Sequence, residues 1–314
     1  MFNHIADLSW QKLGVEDLEA LTSLARSCYQ ADGGLSFLFE PDILRNWYFP
    51  EVPGTAIGAF APDGRLIACE SIYVLESDGG RKAKTFGLVR PDQRNKGIGS
   101  YLLQWSLEQG HSLLAGDDYQ NVLQIQTESL TVPAERLYQK YRFEKVFEEL
   151  VMRMDFDQPL TVRSFPEDVT ITRWEPELGE QFYHAYDAAF KQRPGFPGWS
   201  VAEWIEQVTE DDFKSEWSLL AKVGNKPVGF VIGNIDLTTD PPGAHLWQVG
   251  VIPAQRRRGI ASGLMVESMR RMQADGASFV QLTVHTNNPG AIQIYTHLGY
   301  KTAGRRARFE RKGL

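Results

Sequence analysis

Residues 89–99 read Val-Arg-Pro-Asp-Gln-Arg-Asn-Lys-Gly-Ile-Gly, and residues 251–261 read Val-Ile-Pro-Ala-Gln-Arg-Arg-Arg-Gly-Ile-Ala. Both fit one frame, V-x-P-x-Q-R-x-x-G-I-(G/A), so the chain carries an internal duplication. In each copy an apolar, strand-like run meets a Pro-containing turn, then a basic Gly-bearing loop, then a helical pattern (Tyr101–Leu107 and Leu264–Met269). The loop is therefore expected at a helix N-terminus, where unpaired backbone N–H groups, the positive end of the helix dipole and Arg or Lys side chains converge on one point. That arrangement suits a pyrophosphate, and the small residues at 97, 99, 259 and 261 let it approach the backbone. Neither copy is the dinucleotide fingerprint G-x-G-x-x-G, and neither is followed by G-K-(S/T). A lone Gly-rich turn would be read only as a turn; two in one frame and one context carry the phosphate-cradle reading.

Size agrees with duplication. The 314 residues suit two cores of about 150 residues each, and 17 Phe, 11 Tyr and 8 Trp supply ample apolar volume. The expected halves are 1–160 and 161–314, with the junction between Gln158 and Thr170. Each half runs helix, helix, strand, strand, then strand, cradle, helix, strand, helix, strand, which predicts an α/β class built on mixed sheets. Turns are expected at Pro62–Gly64 and at Gly224–Asn225.

Charge and cysteine content narrow the partners. Net charge is −7; residues 1–160 hold 23 acidic and 15 basic residues, residues 161–314 hold 17 and 18. The acidic first half argues against general nucleic-acid binding. The interrupted basic run 304–312 reads as a final strand with a solvated tail. Cys28 and Cys69 lack metal-ligand spacing and are expected as buried free thiols in a reducing compartment. No metal is expected. The N-terminus lacks a basic segment backed by an apolar run, and no apolar run reaches about 18 residues. The expectation is a soluble cytoplasmic protein without membrane partners and of open oligomeric state.

Downstream of the second loop, residues 280–300 give a strand, Asn288 at a helix start, Ala291 and Tyr295 four apart on one helical face, and Gly299 as the stop. This N-x-x-A-x-x-x-Y-x-x-x-G-(F/Y) segment, together with the two loops, resembles the GCN5-related N-acetyltransferase (GNAT) family. The resemblance covers both halves, a tandem layout similar to that of mycothiol synthases. It implies two GNAT-like acyl-CoA N-acyltransferase domains with sheets splayed to admit the pantetheine arm of acetyl-CoA as cosubstrate. It further implies that backbone groups of Val249 and Val251 pair with that arm, and that Arg256, Arg257, Arg258, Gly259, Ile260, Ala261 and Ser262, with Asn288 nearby, hold the cofactor. Tyr295 would protonate the departing thiolate. In several members a Glu lies eleven residues before the first cradle Arg; here that position is His245, a chemically adequate base. His285 is a second candidate, and an ordinary partly buried histidine is as good a reading of either.

The first half matches less completely. Val89, Arg94, Lys96, Gly97, Ile98, Gly99 and Ser100 form its cradle, and Ala134 and Tyr138 occur, but Thr131 stands for the Asn, Arg142 for the Gly, and Ala83 for the base. The expectation is a first half that binds CoA without catalysing, and a second half that transfers acetyl to an amine of a small molecule or peptide. Its acceptor pocket is expected from the early helices and the loop 193–199. A non-catalytic acyl-CoA-binding or scaffolding protein stays open as the alternative, and acyl-CoA hydrolysis as a weaker one.

Overall fold

The computed structural model describes residues 7–77, 80–115, 121–193 and 196–313. The chain divides into two compact units: Met1–Val151 together with Thr302–Leu314, and Met152–Lys301.

In the first unit the strands are β1 (Ser9–Lys12), β2 (Gly54–Phe60), β3 (Leu66–Ser77), β4 (Gly80–Val89), β5 (Val122–Thr127) and β6 (Glu144–Asp155). Helices α1 (Leu18–Asp32) and α2 (Pro41–Tyr48) precede β2, α3 (Ile98–Leu113) follows β4, and α4 (Val132–Lys140) follows β5. The second unit repeats the order: β7 (Val169–Arg173), α5 (Gly179–Phe190), α6 (Val201–Val208), β8 (Leu219–Val223), β9 (Lys226–Asp236), β10 (Gly243–Val251), α7 (Ile260–Ala274), β11 (Phe279–His285) and α8 (Pro289–Leu298). The last strand, β12 (Lys301–Lys312), lies between β5 and β6.

The duplication is borne out element by element, but the division of the chain is not the expected 1–160 and 161–314. Strand pairing decides it: β12 runs antiparallel to β5, Ala307 opposite Thr127 through Lys312 opposite Val122. Ala307 and Phe309 are fully buried there, packed with Ile72, Leu103, Ile125 and Phe143. The basic run 304–312 is thus a core strand whose alternate positions point outward, as period 2 requires. Its arginines are satisfied within the unit: Arg305 pairs with Glu135 and Glu148, and Arg308 with Glu128 at 2.7 Å.

Strands β1 to β4, and β7 to β10, pair antiparallel in sequence order, and each set then meets its next strand in parallel. That parallel pairing is short. β4 pairs with β5 only from Lys82–Val122 to Thr85–Ile125, and β10 with β11 only at Ala244–Val280 and His245–Gln281. Beyond these points the strands part, leaving the ends of β4 and β10 as one wall of a wedge.

Both cysteines are free and buried, as expected. No helix among the described residues is long and apolar enough to cross a membrane.

Because Phe309 fills the core of the first unit from the far end of the chain, Phe309→Ala is expected to cost about 3–5 kcal/mol. Urea unfolding should show it, with amide-exchange protection lost across residues 122–127. Protection lost instead in residues 279–285 would place β12 with the second unit.

Candidate active site

Each cradle is built by the same local steps. Pro91–Gln93 and Pro253–Gln255 form one 3₁₀ turn with Pro at its first position, where a missing N–H costs nothing. Next, Asn95 and Arg257 both take φ 62°, and Gly97 and Gly259 both sit in the left-handed region at φ 89° and 80°. Those glycines are the N-caps of α3 and α7, and neither helix receives a side-chain cap. The first backbone hydrogen bonds inside the helices come only at Tyr101 N–H to Gly97 and Gly263 N–H to Gly259. The N–H groups of residues 98–100 and 260–262 therefore point out of uncapped helix ends, as an anion site demands.

The cradle side chains divide the work differently from the expectation. The first arginine of each copy serves as a brace. Arg94 donates to the Val89 carbonyl at 3.0 Å and makes a bidentate pair with Asp32 at 2.6 Å, tying β4 to the end of α1. Arg256 donates to the Val251 carbonyl and to the Ala189 carbonyl of α5, each at 3.1 Å. Lys96 and Arg258 each donate to the glutamine of the preceding turn, Gln93 and Gln255. Arg258 also pairs with Asp168 at 2.6 Å. The uncapped backbone N–H groups are the element the two copies share.

In the second unit, β10 carries the sequence-predicted strand residues, with a correction. Strict period-2 alternation would put 245, 247, 249 and 251 on one face. A bulge between Leu246 and Gln248 breaks that count, since Leu246 opposes Gly233 while Gln248 opposes Ile232. An inserted residue inverts the faces beyond it. His245 thus shares its face with Gln248 and Gly250, the face of α5 and α6, whereas Val249 and Val251 look the other way. The Gln248 side chain confirms the inversion by accepting from Trp204 Nε1 of α6 at 3.2 Å.

Tyr295 lies on α8, whose N-cap Asn288 accepts from Ala291 N–H at 3.2 Å and whose end is Gly299 at φ 102°. The tyrosine is 9% exposed. Burial pushes its hydroxyl up to about 12, against the pull of the Arg193 charge. It therefore carries its proton at neutral pH. The aromatics of loop 193–199 that fall within the described residues pack inside the unit: Trp199 stacks on Tyr186 with centroids 6.3 Å apart, and Tyr183 donates to the Trp199 carbonyl. His285, the other histidine considered, accepts from Asn287 N–H through Nδ1 at 3.0 Å in the turn before α8.

The first unit holds the same apparatus in different residues. Thr131 caps α4 by accepting from Ala134 N–H at 3.3 Å, the task of Asn288. Arg142 adopts φ 64° where Gly299 stands in the other copy. Tyr138 accepts from Phe143 N–H through its carbonyl just as Tyr295 does from Tyr300 N–H. A cavity of about 420 Å³ opens in this unit along the wedge, lined by the cradle (Gly97, Gly99, Ser100), by Tyr138 and by a residue that sequence reasoning missed, Glu70. Glu70 is 6% exposed on β3, and its Oε1 accepts from Thr85 at 2.5 Å and from Ser106 at 3.0 Å. Burial pushes its carboxyl up to about 7, against the two hydroxyl donors. The signal was present: an acid inside the apolar run Leu66-Ile-Ala-Cys-Glu-Ser-Ile-Tyr-Val.

Known proteins can be compared with this geometry. The profile described as "Acetyltransferase (GNAT) family" matches residues 18–143 and again 176–300. A mycothiol acetyltransferase of Actinosynnema mirum is 27% identical over 94% of this chain and 96% of its own length. That of Frankia casuarinae is 24% identical over 95% and 96%. Among solved structures, a GCN5-related N-acetyltransferase from Sphaerobacter thermophilus superposes with a TM-score of 0.74 at 26% identity, covering 98% of this chain and 96% of that one. A tandem GNAT protein from the clavulanic acid biosynthesis pathway shares the fold at a TM-score of 0.64 and 15% identity, covering 97% and 98%.

Two outcomes follow from the geometry. An added Cβ at Gly259 meets no atom within 4 Å, so Gly259→Asp acts through the left-handed backbone and through a negative charge at the helix end. CoA affinity, read by calorimetry, should fall about 30-fold or more, near 2 kcal/mol. Glu70 gives a pH signature. Its carboxyl is raised from 4.5 to about 7 by folding, so its contribution is full below 4.5 and lost as pH rises through 7, by about 3 kcal/mol. Glu70→Gln should therefore gain more stability over the parent at pH 8 than at pH 5; an equal difference at both would contradict the shift.

Proposed function

This chain belongs to the GNAT family of acetyltransferases, and from that premise we propose that it transfers acetyl from acetyl-CoA to an amine, with chemistry in the second unit. The observation carrying the proposal is the uncapped N-terminus of α7 at the mouth of the wedge between β10 and β11, with the buried, protonated Tyr295 on α8. An uncapped helix end with a left-handed glycine suits the pyrophosphate of acetyl-CoA, and an unzipped strand edge suits its amide-rich arm.

The acceptor amine, relieved of a proton by His245 or by water, attacks the thioester carbonyl directly. Backbone N–H groups of the Val249–Val251 stretch polarise that carbonyl, and Tyr295 gives its proton to the leaving sulfur. The register of β10 supports His245 in this role, because it puts the residue on the face shared with Gln248 and Gly250, the face of α5 and α6, the helices from which the acceptor site is expected. A small-molecule acceptor is favoured by relatives named for mycothiol. The soluble, cytoplasmic setting remains part of the proposal.

Tyr295→Phe removes one oxygen atom. With acetyl-CoA and a panel of primary amines, kcat is expected to fall about 100-fold with KM for acetyl-CoA little changed, because the hydroxyl acts in the transition state. His245→Gln should erase the acidic limb of the kcat/KM profile while leaving acetyl-CoA affinity in place. Full rate and an unchanged pH profile in both variants would remove the chemistry from this unit.

A further inference from the structure

The cavity of about 420 Å³ in the first unit runs through the wedge, with lining residues on both faces of the sheet. Strand alternation separates its two sides. Glu70 opposes Gly87 and Cys69 opposes Leu88, so Glu70, held by Thr85 of β4 and Ser106 of α3, belongs to the α3 face. On the opposite face Cys69 and Phe86 share a core cluster with Cys28 of α1 and with Leu44 and Tyr48 of α2. Phe39, Leu44, Trp47 and Phe86 wall the cavity there, Trp47 and Phe86 being stacked at 4.8 Å.

The duplication shows why this side is hollow. Phe230 of β9 opposes Gly250, and Cys69 of β3 opposes Leu88. Gly250 and Leu88 each precede the valine that opens the shared frame, so Cys69 stands where the other copy has Phe230. Leu44 and Trp204 are the fourth residues of the eight-residue helices α2 and α6. The buried faces of α1 and α5 contain Leu21, Leu24, Ala25 and Phe182, Ala185, Tyr186 at the same spacing, which sets Ala25 against Tyr186. In the second unit Tyr186, Trp204 and Phe230 pack on one another, with ring centroids 5.1, 6.2 and 6.0 Å apart. The first unit replaces these three rings with Ala25, Leu44 and Cys69, and Ala25 and Leu44 line the cavity. Interiors are close-packed, so a chamber of this size with apolar walls is room for a ligand.

The polar groups of the chamber are engaged with one another. Asp32 at its edge takes both hydrogen bonds of Arg94, the Cys69 thiol donates to the Tyr48 hydroxyl at 3.4 Å, and the Cys28 thiol donates to the Val89 carbonyl at 3.6 Å. At its other end the same cavity reaches Gly97, Gly99 and Ser100 at the uncapped end of α3. One space therefore joins an anion site to an apolar chamber. The ligand that fits it carries phosphate at one end and an apolar chain at the other.

We propose that the first unit binds an acyl-CoA whose acyl chain is longer than acetyl, with its pyrophosphate on the α3 cradle and its chain in the α1/α2 chamber opened by Ala25 and Leu44. The proposal rests on the reading that this chain binds CoA thioesters. Acetyl-CoA would leave the chamber unfilled, whereas each further methylene buried there strengthens binding by about fourfold. The second unit, filled at the corresponding positions by Tyr186, Trp204 and Phe230, gains nothing from a longer chain.

The test uses the full-length chain carrying Gly259→Asp, which weakens the second cradle, and titrates it calorimetrically with acetyl-, butyryl-, hexanoyl- and octanoyl-CoA. Affinity should climb along the series, with octanoyl-CoA bound at least about 100-fold more tightly than acetyl-CoA. CoA and octanoate, each alone, should bind at least about 30-fold more weakly than octanoyl-CoA. Leu44→Trp and, separately, Ala25→Tyr install the bulk of the other copy. Either should bring octanoyl-CoA to within about threefold of acetyl-CoA while leaving acetyl-CoA affinity as it was, and the second serves if the first does not fold. Gly97→Asp should weaken every thioester. Equal affinity along the series would overturn the proposal, and so would a chain-length gain that survives both filling variants. Octanoate binding as tightly as octanoyl-CoA would also overturn it, by making the ligand a free carboxylate. Failure of the unmodified chain to bind any CoA thioester would instead defeat the reading on which the proposal rests.

Discussion

The parting of two parallel strands is the constraint on which the sites depend. A parallel ladder normally consumes every inward N–H and C=O along its length. Here the β4–β5 ladder stops after Thr85–Ile125 and the β10–β11 ladder after His245–Gln281. The strand ends beyond are backbone edges enclosed within a sheet, a rare condition in a folded chain because unpaired polar backbone is costly to bury. Such an edge is tolerable where water or a ligand with its own amides completes it. The strands can part only because each is secured elsewhere: β4 and β10 along their whole outer sides by β3 and β9, and the ends of the same strands by Arg94 and Arg256.

That bracing gives the basic residues of the duplicated frame a structural task. The guanidinium of Arg94 spans from the Val89 carbonyl to the Asp32 carboxylate, a contact with two 2.6 Å hydrogen bonds and little exposure on the acid side. Arg256 does the same for α5 through the Ala189 carbonyl. A planar fork with several donors suits a strand–helix junction better than a lysine would. What remains toward the anion is the geometry that side chains impose: a 3₁₀ turn, a left-handed residue, a left-handed glycine, then a helix with nothing at its cap.

Much of this was legible in the sequence because it is local. The duplicated frame, the Pro-led turns, Asn288 with Ala291, and the closing Gly299 are all short-range signals, and each element stands where it was expected. Long-range pairing was not legible. No periodicity in residues 304–312 says that this strand joins β5, and the expectation that the last residues belong with the second half failed for that reason. The bulge at Leu246–Gln248 was equally silent, since a one-residue insertion leaves the apolar count of β10 unchanged while putting Val249 and Val251 on the face opposite His245. Glu70 was not legible as a site residue because the position eleven residues before this cradle, where the family resemblance implies a base, is Ala83. Motif loss in the first half likewise overstated structural loss: Thr131 caps as Asn288 does, and Arg142 turns as Gly299 does.

Glu70 carries an energetic argument of its own. Desolvating a carboxylate in a folded interior is costly unless a cation or several donors compensate. Two hydroxyls compensate only in part, which is why its carboxyl rests near 7 rather than in the usual range. The neighbours show that this fold readily supplies arginine to an acid in the same unit, as at Asp32 and Glu128. An uncharged amide would fill the same space beside Thr85 and Ser106 without the penalty at neutral pH. The acid therefore makes this unit less stable as pH rises through 7.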